Sequence, residues 1–279
     1  LQEEEFLSAV ANVLAGTIRR QRTEQVSLER EGQLIAAQRI QEHILPRVAP
    51  IVPGFDIGGG LTAAEFAAGD YFDYLWLPDG SLGIVVGDVS GHGFGSALLM
   101  ASTAAHLQSF VEDHSDLEEI AKHTNALLCR EVGEDDFVTL LLARICLSSG
   151  TIQYVNAGHP SGYVLRQSGE VKAALESSTF PLAILPEGDF RTSDPIELEP
   201  DDVIVLVTDG VLEAFSSDDR VFGKDRMFEV LRANRHRKAE EIIQGLQRAI
   251  REFTGGGKPQ DDVTIVVMKV GTSAKSVEA

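Results

Sequence analysis

Basic residues, cysteine and long apolar runs are all scarce in this 279-residue chain. Only 24 Lys and Arg stand against 43 Asp and Glu, a formal net charge of −19. Clustered Lys and Arg are what hold a phosphate backbone, so nucleic acid is not expected as a partner. The same repulsion argues against an anionic membrane surface. The two cysteines, Cys129 and Cys146, sit among apolar neighbours without zinc-type spacing. They read as small core residues of a reducing compartment rather than a disulfide framework. No apolar run reaches the length of about 18 residues that spans a bilayer, and no signal-peptide pattern opens the chain. A soluble, cytoplasmic protein is therefore expected. Aromatics make up only 6%, but the 43% hydrophobic content suits a packed globular protein and excludes wholesale disorder. The acidic excess is ordinary for a soluble surface and leaves room for a cation site.

What is present divides the chain unevenly. Residues 1–45 contain no proline and only two glycines. Leu7, Leu14, Leu28 and Ile35 recur at a seven-residue spacing, with Ala11 and Ile18 offset to the same face. That period predicts a long helix. Gln21, Gln25 and Gly32 interrupt the seam, which makes it a weak coiled coil. Pro46 and Pro50 end it. Because the chain opens inside an apolar helical pattern, it is expected to be cut from something longer.

From Phe55 the pattern turns strand-like. Short runs rich in β-branched and aromatic residues are predicted as strands at Asp70–Leu77, Leu82–Val89, Phe137–Leu147, Thr151–Asn156, Val203–Thr208 and Val263–Val270. Pro78-Asp79-Gly80 signals a hairpin turn. Helical patterns cover Gly95–His114, Leu117–Val132, Asp225–Ala233 and Ala239–Phe253. Helices come in pairs and strands in sets, which argues for an α+β layered fold with largely antiparallel sheets. The expected organisation is a helical linker at 1–45, a catalytic domain at 46–270 and a disordered tail at 271–279.

Four acidic segments share one feature: each lies at an end of an apolar strand, beside glycine or another small residue. They are Gly69-Asp70-Tyr71-Phe72-Asp73, Val86-Gly87-Asp88-Val89-Ser90-Gly91-His92-Gly93, Val207-Thr208-Asp209-Gly210 and Gln260-Asp261-Asp262-Val263-Thr264. One aspartate at a strand end is an ordinary turn former. Four can converge at one edge of a sandwich, where carboxylates repel unless a cation sits between them. An oxygen-only ligand set favours Mg²⁺ or Mn²⁺ over Zn²⁺. Other features read as structural. His159 is expected to bond backbone in a tight turn, and Trp76 to pack. The run Gly91–Gly95 lacks the setting of a dinucleotide fingerprint. Gly255-Gly256-Gly257-Lys258 reads as a flexible connection.

The ordered series Gly-Asp-Tyr-Phe-Asp, Gly-Asp-Val-Ser-Gly-His-Gly, Asn156-Ala157-Gly158-His159-Pro160, Thr208-Asp209-Gly210 and Asp261-Asp262-Val263-Thr264 resembles the bacterial metal-dependent serine/threonine phosphatases. These form the SpoIIE/RsbU branch of the PPM superfamily, and the likeness runs from about Ile40 to Val270. Ala37–Pro46 is similar to that family's linker into its catalytic domain, and Phe6–Arg22 to the closing helix of a GAF sensor domain.

The resemblance implies a four-layer αββα sandwich of two mainly antiparallel sheets flanked by helices, preceded by the linker helix. It implies two Mn²⁺ or Mg²⁺ ions. Asp88 would bridge them and the Val89 carbonyl would add a ligand. Asp209 and Asp261 would hold the first ion and Asp70 the second, with Asp262 able to exchange roles with Asp261. It further implies hydrolysis of phosphoserine or phosphothreonine on a partner, a STAS-type anti-anti-sigma protein. Ser90 stands where eukaryotic relatives place a histidine, so His92 is not assigned as a general acid; it could orient a carboxylate or contact phosphate. Ala68 and Ala183 replace glycines common in the family, and a positive φ at Ala183 would cost about 1 kcal/mol. The alternative is a catalytically silent scaffold of the same fold, signalling through its helix. A nuclease is disfavoured by the charge. The weak seam predicts a homodimer through the N-terminal helix, whose seating against the catalytic domain responds to upstream sensing.

Overall fold

Among the described residues ten strands build the fold, and the alternation of their faces decides where each acidic residue points. The computed structural model describes residues 2–133 and 136–272. The elements run α1 (Gln2–Ile44), β1 (Phe55–Thr62), β2 (Asp70–Trp76), β3 (Leu82–Val89), α2 (Phe94–Val111), α3 (Leu117–Glu131), β4 (Val138–Cys146) and β5 (Thr151–Ala157). They continue with β6 (Gly162–Leu165), β7 (Val171–Leu175), β8 (Ile196–Glu197), β9 (Val203–Val207), α4 (Asp209–Leu212), α5 (Gly223–Asn234), α6 (Ala239–Phe253) and β10 (Val263–Val270).

The strands form two five-stranded sheets, ordered β1-β10-β9-β6-β7 and β2-β3-β4-β5-β8, and every strand pairing is antiparallel. Period two sorts the side chains into three cores. Tyr71, Val85, Leu140 and Leu142 face α2 and α3. Val205, Val207, Ile265 and Val267 face α5 and α6. Phe72, Ile84, Val86, Ile204, Leu206, Val266 and Met268 fill the space between the sheets. The result is the four-layer αββα sandwich. The helix pairs reflect amphipathic patterns: α6 buries Ile242, Ile243, Leu246 and Ile250 on one stripe. Asp116 caps α3 by accepting from the amides of Glu118 and Glu119.

Strand β1 was not among the predicted strands. Its sequence, FDIGGGLT, carries three glycines that hide any alternation. A Cβ on Gly59 would lie 2.4 Å from the Tyr74 hydroxyl and 2.6 Å from the Phe72 ring, so the approach of the two sheets there requires glycine. Trp76 departs from expectation: it is 52% exposed at the end of β2 and carries little of the packing.

Helix α1 is continuous to Ile44. Leu14, Ile18, Val26 and Ile35 lie exposed along it, while Ile44 and Leu45 pack against the core. The side chains of Leu7, Ala11 and Leu28, which complete the expected seam, lie outside the described residues, as do residues 273–279 of the expected tail. Among the described residues no helix is long and apolar enough to cross a membrane.

Ala183 does adopt a positive φ, 70°. Its amide donates to Asn125 Oδ1 at 2.8 Å, and Asn125 Nδ2 donates in turn to the Leu185 carbonyl, so α3 pins this loop in the left-handed conformation. Ala183→Gly is expected to stabilise the protein by about 0.5–1 kcal/mol in denaturant unfolding, since glycine adopts that conformation without a Cβ clash. An unchanged or lower midpoint would show that the loop relaxes at no cost.

Candidate metal centre

The space between the sheets ends in acid. On β2 and β3, Asp70 and Asp88 continue the inter-sheet columns of Phe72 and Val86, and they stand directly opposite each other in the strand register. From the other sheet, β9 ends at Val207 and hands the chain to Thr208 and Asp209. Antiparallel to it, β10 begins just after Asp261 and Asp262, with Val207 paired to Ile265. Strand ends from both sheets therefore deliver Asp70, Asp88, Asp209, Asp261 and Asp262 to one edge. The Asp209 turn passes so close to the 261–262 segment that a Cβ on Gly210 would lie 2.0 Å from the Asp262 carbonyl oxygen.

Electrostatics records the crowding. The Asp88 carboxyl is pushed up to about 8 by burial first, then by the charges of Asp209, Asp261 and Asp262. Burial and Asp88 raise Asp70 well above the carboxylate range, and burial and Asp261 raise Asp209. Burial also raises Asp262, against the pull of its backbone donors. A group so shifted is held against its preference for ionisation, and an added cation relieves that directly.

Each carboxylate has its own supports. Asp70 Oδ2 accepts from the hydroxyls of Thr208 (2.8 Å) and Thr264 (2.6 Å), both from the opposite sheet. Asp262 accepts from the amides of Ala64 (2.8 Å) and Gly69 (2.7 Å), which tethers the loop leading into β2. Asp261 is exposed, and with Gly210 and Glu213 it lines a cleft of about 170 Å³. A second cleft of about 430 Å³, lined by Val89, Ser90 and His92 among others, opens beside the start of α2. Among the described residues no three acidic or histidine side chains are gathered tightly enough to close on one ion as placed. Asp70 and Asp262 are turned toward protein donors instead. The donor chemistry nonetheless suits a hard divalent cation: all oxygen, crowded, and mutually repelling. Asp88, Asp209 and Asp261, with Asp70 beside them, could hold it.

The histidines separate cleanly. His159 is buried, and its Nε2–H donates to the Val207 carbonyl at 3.2 Å. Its Nδ1 accepts from the Thr139 hydroxyl at 2.8 Å. Burial lowers it to about 3, so it is a neutral brace between the sheets, bonding backbone as expected. His92 is exposed and lies 3.5 Å from the Glu65 carboxylate, also at the surface. Asp73, the second acid of its motif, turns away from the site and accepts from Tyr71 and from Gln108 of α2. Sequence reasoning gave no role to Thr208, Thr264 or Thr139. The available signal was a hydroxyl on the inner face of an otherwise aliphatic strand end.

Comparison with known proteins agrees with this fold. The family model described as Stage II sporulation protein E (SpoIIE) matches residues 78–271. The chain is 27% identical to Protein IcfG of Synechocystis, over 85% of this chain and 41% of IcfG. It is 23% identical to the Phosphoserine phosphatase RsbU of Bacillus subtilis, over 88% of this chain and 72% of RsbU. The chain thus spans less than half the length of IcfG. Among solved structures, the SiaA-PP2C domain of Pseudomonas aeruginosa superposes with a TM-score of 0.76 at 22% identity, covering 88% of this chain and 98% of that domain. The catalytic domain of PstP, solved with two manganese ions, superposes at 0.57 with 16% identity, covering 78% of this chain and 99% of that one. With the family model matched across well over half its length, the chain belongs to the SpoIIE family, in the SpoIIE/RsbU branch of the PPM phosphatases.

Proposed function

We propose that this chain is a Mn²⁺- or Mg²⁺-dependent phosphatase that removes phosphate from a phosphoserine or phosphothreonine of a partner protein. The observation that carries the reading is the meeting of five aspartates from four strand ends at one edge of the sandwich. A bare acidic edge repels a phosphomonoester dianion, so an anionic substrate requires cations there. Asp88, Asp209, Asp261 and the Val89 carbonyl would hold them, with Asp70 as a further ligand. Two bound ions would supply a water activated near neutral pH and offset the phosphoryl charge. The chain's own groups do the positioning. Thr208 and Thr264 orient Asp70 across the sheets. Asp262 fixes the Ala64–Gly69 loop, which favours Asp261 over Asp262 as the direct ligand. His159 ties the Thr139 hydroxyl to the Val207 carbonyl behind Asp88.

RsbU is named a phosphoserine phosphatase, and on that likeness the proposed substrate is a phosphorylated STAS-type anti-anti-sigma protein. The exposed apolar residues of α1 support a homodimer through that helix. The test is hydrolysis of p-nitrophenyl phosphate and of a phosphorylated STAS protein, with Mn²⁺ and with EDTA. Metal-dependent turnover is expected on both. Absence of turnover on either, in a folded protein, would favour the silent scaffold.

A further inference from the structure

We propose that Gln41, in the last turn of α1, is a positioning residue that ties the seating of this helix to the acidic edge. The inference rests on the metal-dependent reading of that edge. Gln41 is buried although most of the described helix is exposed. Its Nε2 donates to the Ala68 carbonyl at 2.7 Å, and its Oε1 accepts from the Ala68 amide at 2.8 Å. A primary amide is a side chain that carries a donor and an acceptor side by side, so Gln41 pairs with Ala68 as a neighbouring strand would.

The two residues after Ala68 give the pairing its consequence. The Gly69 amide donates to Asp262 Oδ2 and its carbonyl accepts from the Val89 amide. Asp70 comes next, held by the two threonines of the opposite sheet. Three consecutive residues thus connect α1 in turn to the 261–262 segment, to the strand end carrying Asp88, and to Asp70. Ala68 is fully buried, so without Gln41 its N–H and C=O lose their partners away from water. A helix rises about 1.5 Å per residue, so a slide of α1 by a single residue breaks both bonds. Beside this contact Ile40 of α1 and Phe94 and Leu98 of α2 line an apolar groove of about 180 Å³, which leaves α1 loosely packed just above its anchor.

Two variants of the full chain test this. Gln41→Met preserves length and removes both bonds; Gln41→Glu keeps the acceptor for the Ala68 amide and removes the donor. Mn²⁺ binding is titrated calorimetrically without substrate, and amide exchange is followed across residues 64–72. The Mn²⁺ dissociation constant is expected to rise about tenfold in Gln41→Met, the scale for losing a group that orients a metal ligand, and by less in Gln41→Glu. Exchange should quicken at Ala68, Gly69 and Asp70 while β5 and α6 stay unchanged. Folded variants with wild-type Mn²⁺ affinity and wild-type exchange would overturn the proposal. If Gln41→Met fails to fold, Gln41→Glu decides by the same two readouts. If the wild-type chain binds no Mn²⁺, the metal-dependent reading falls by itself. Gln41 is then judged by exchange: quickening confined to residues 68–70 sustains it, and none overturns it.

Discussion

Asp88→Asn is expected to lower Mn²⁺-dependent hydrolysis of p-nitrophenyl phosphate by about three orders of magnitude, and to raise the stability of the metal-free protein at pH 8. Both effects have one cause. Asp88 is half-buried, and burial together with the charges of Asp209, Asp261 and Asp262 pushes its carboxyl up to about 8. Folding therefore raises its affinity for a proton. Below pH 4 the group is protonated in both states and contributes nothing. As pH rises from about 4 to about 8 the unfolded chain ionises first, so metal-free stability falls with a slope of up to about 1.4 kcal/mol per pH unit for this one group. Asparagine removes that slope. Mn²⁺ should oppose the loss in the wild type by supplying the missing positive charge, and should do little for Asp88→Asn. Thermal melts from pH 5 to pH 8, with EDTA and with Mn²⁺, check the sign. A metal-free wild type that gains stability toward pH 8 would show that Asp88 is not crowded by its neighbours.

Gly210→Ala carries the second large effect, and it is steric. The added methyl would lie 2.0 Å from the Asp262 carbonyl oxygen and 3.0 Å from its carbonyl carbon. Neither is the movable end of a side chain. The backbone must shift, either at Asp209 or at 261–262. Overpacking of this kind costs about 3 kcal/mol, and the displaced carboxylates should take activity with them. Gly257→Ala is the control, because nothing lies within 4 Å of its added Cβ, and it should stay within about 0.5 kcal/mol of wild type. Denaturant unfolding of both variants, with Mn²⁺-dependent turnover, separates the outcomes. A neutral Gly210→Ala would mean that the two strand-end turns do not pack as described.

Much of the architecture was legible because its signals are local. β3 and β10 are apolar runs bounded by turn residues, and α6 shows its stripe within fifteen residues. The carboxylates were legible as a series, since each lies at one end of a strand. What stayed hidden depends on distant partners. The glycines of β1 make sense only against Tyr74 and Phe72 on the other sheet. Thr208 and Thr264 gain a role only beside Asp70, 138 and 194 residues away in the chain. Gln41 looked like another polar residue of a helix until its amide met Ala68. The Asp261-Asp262 pair was open in sequence, and the two backbone amides on Asp262 are what distinguish them. The family pattern raised a positive φ at Ala183 only as a condition; its left-handed conformation and its anchor, Asn125, came from the structure.

The most direct measurement is anomalous diffraction at the manganese edge from crystals grown with Mn²⁺. The account predicts strong peaks at the edge of the sandwich, within ligand distance of Asp88, Asp209 and Asp261. Peaks elsewhere on the surface, or none at that edge in a well-ordered crystal, would contradict it.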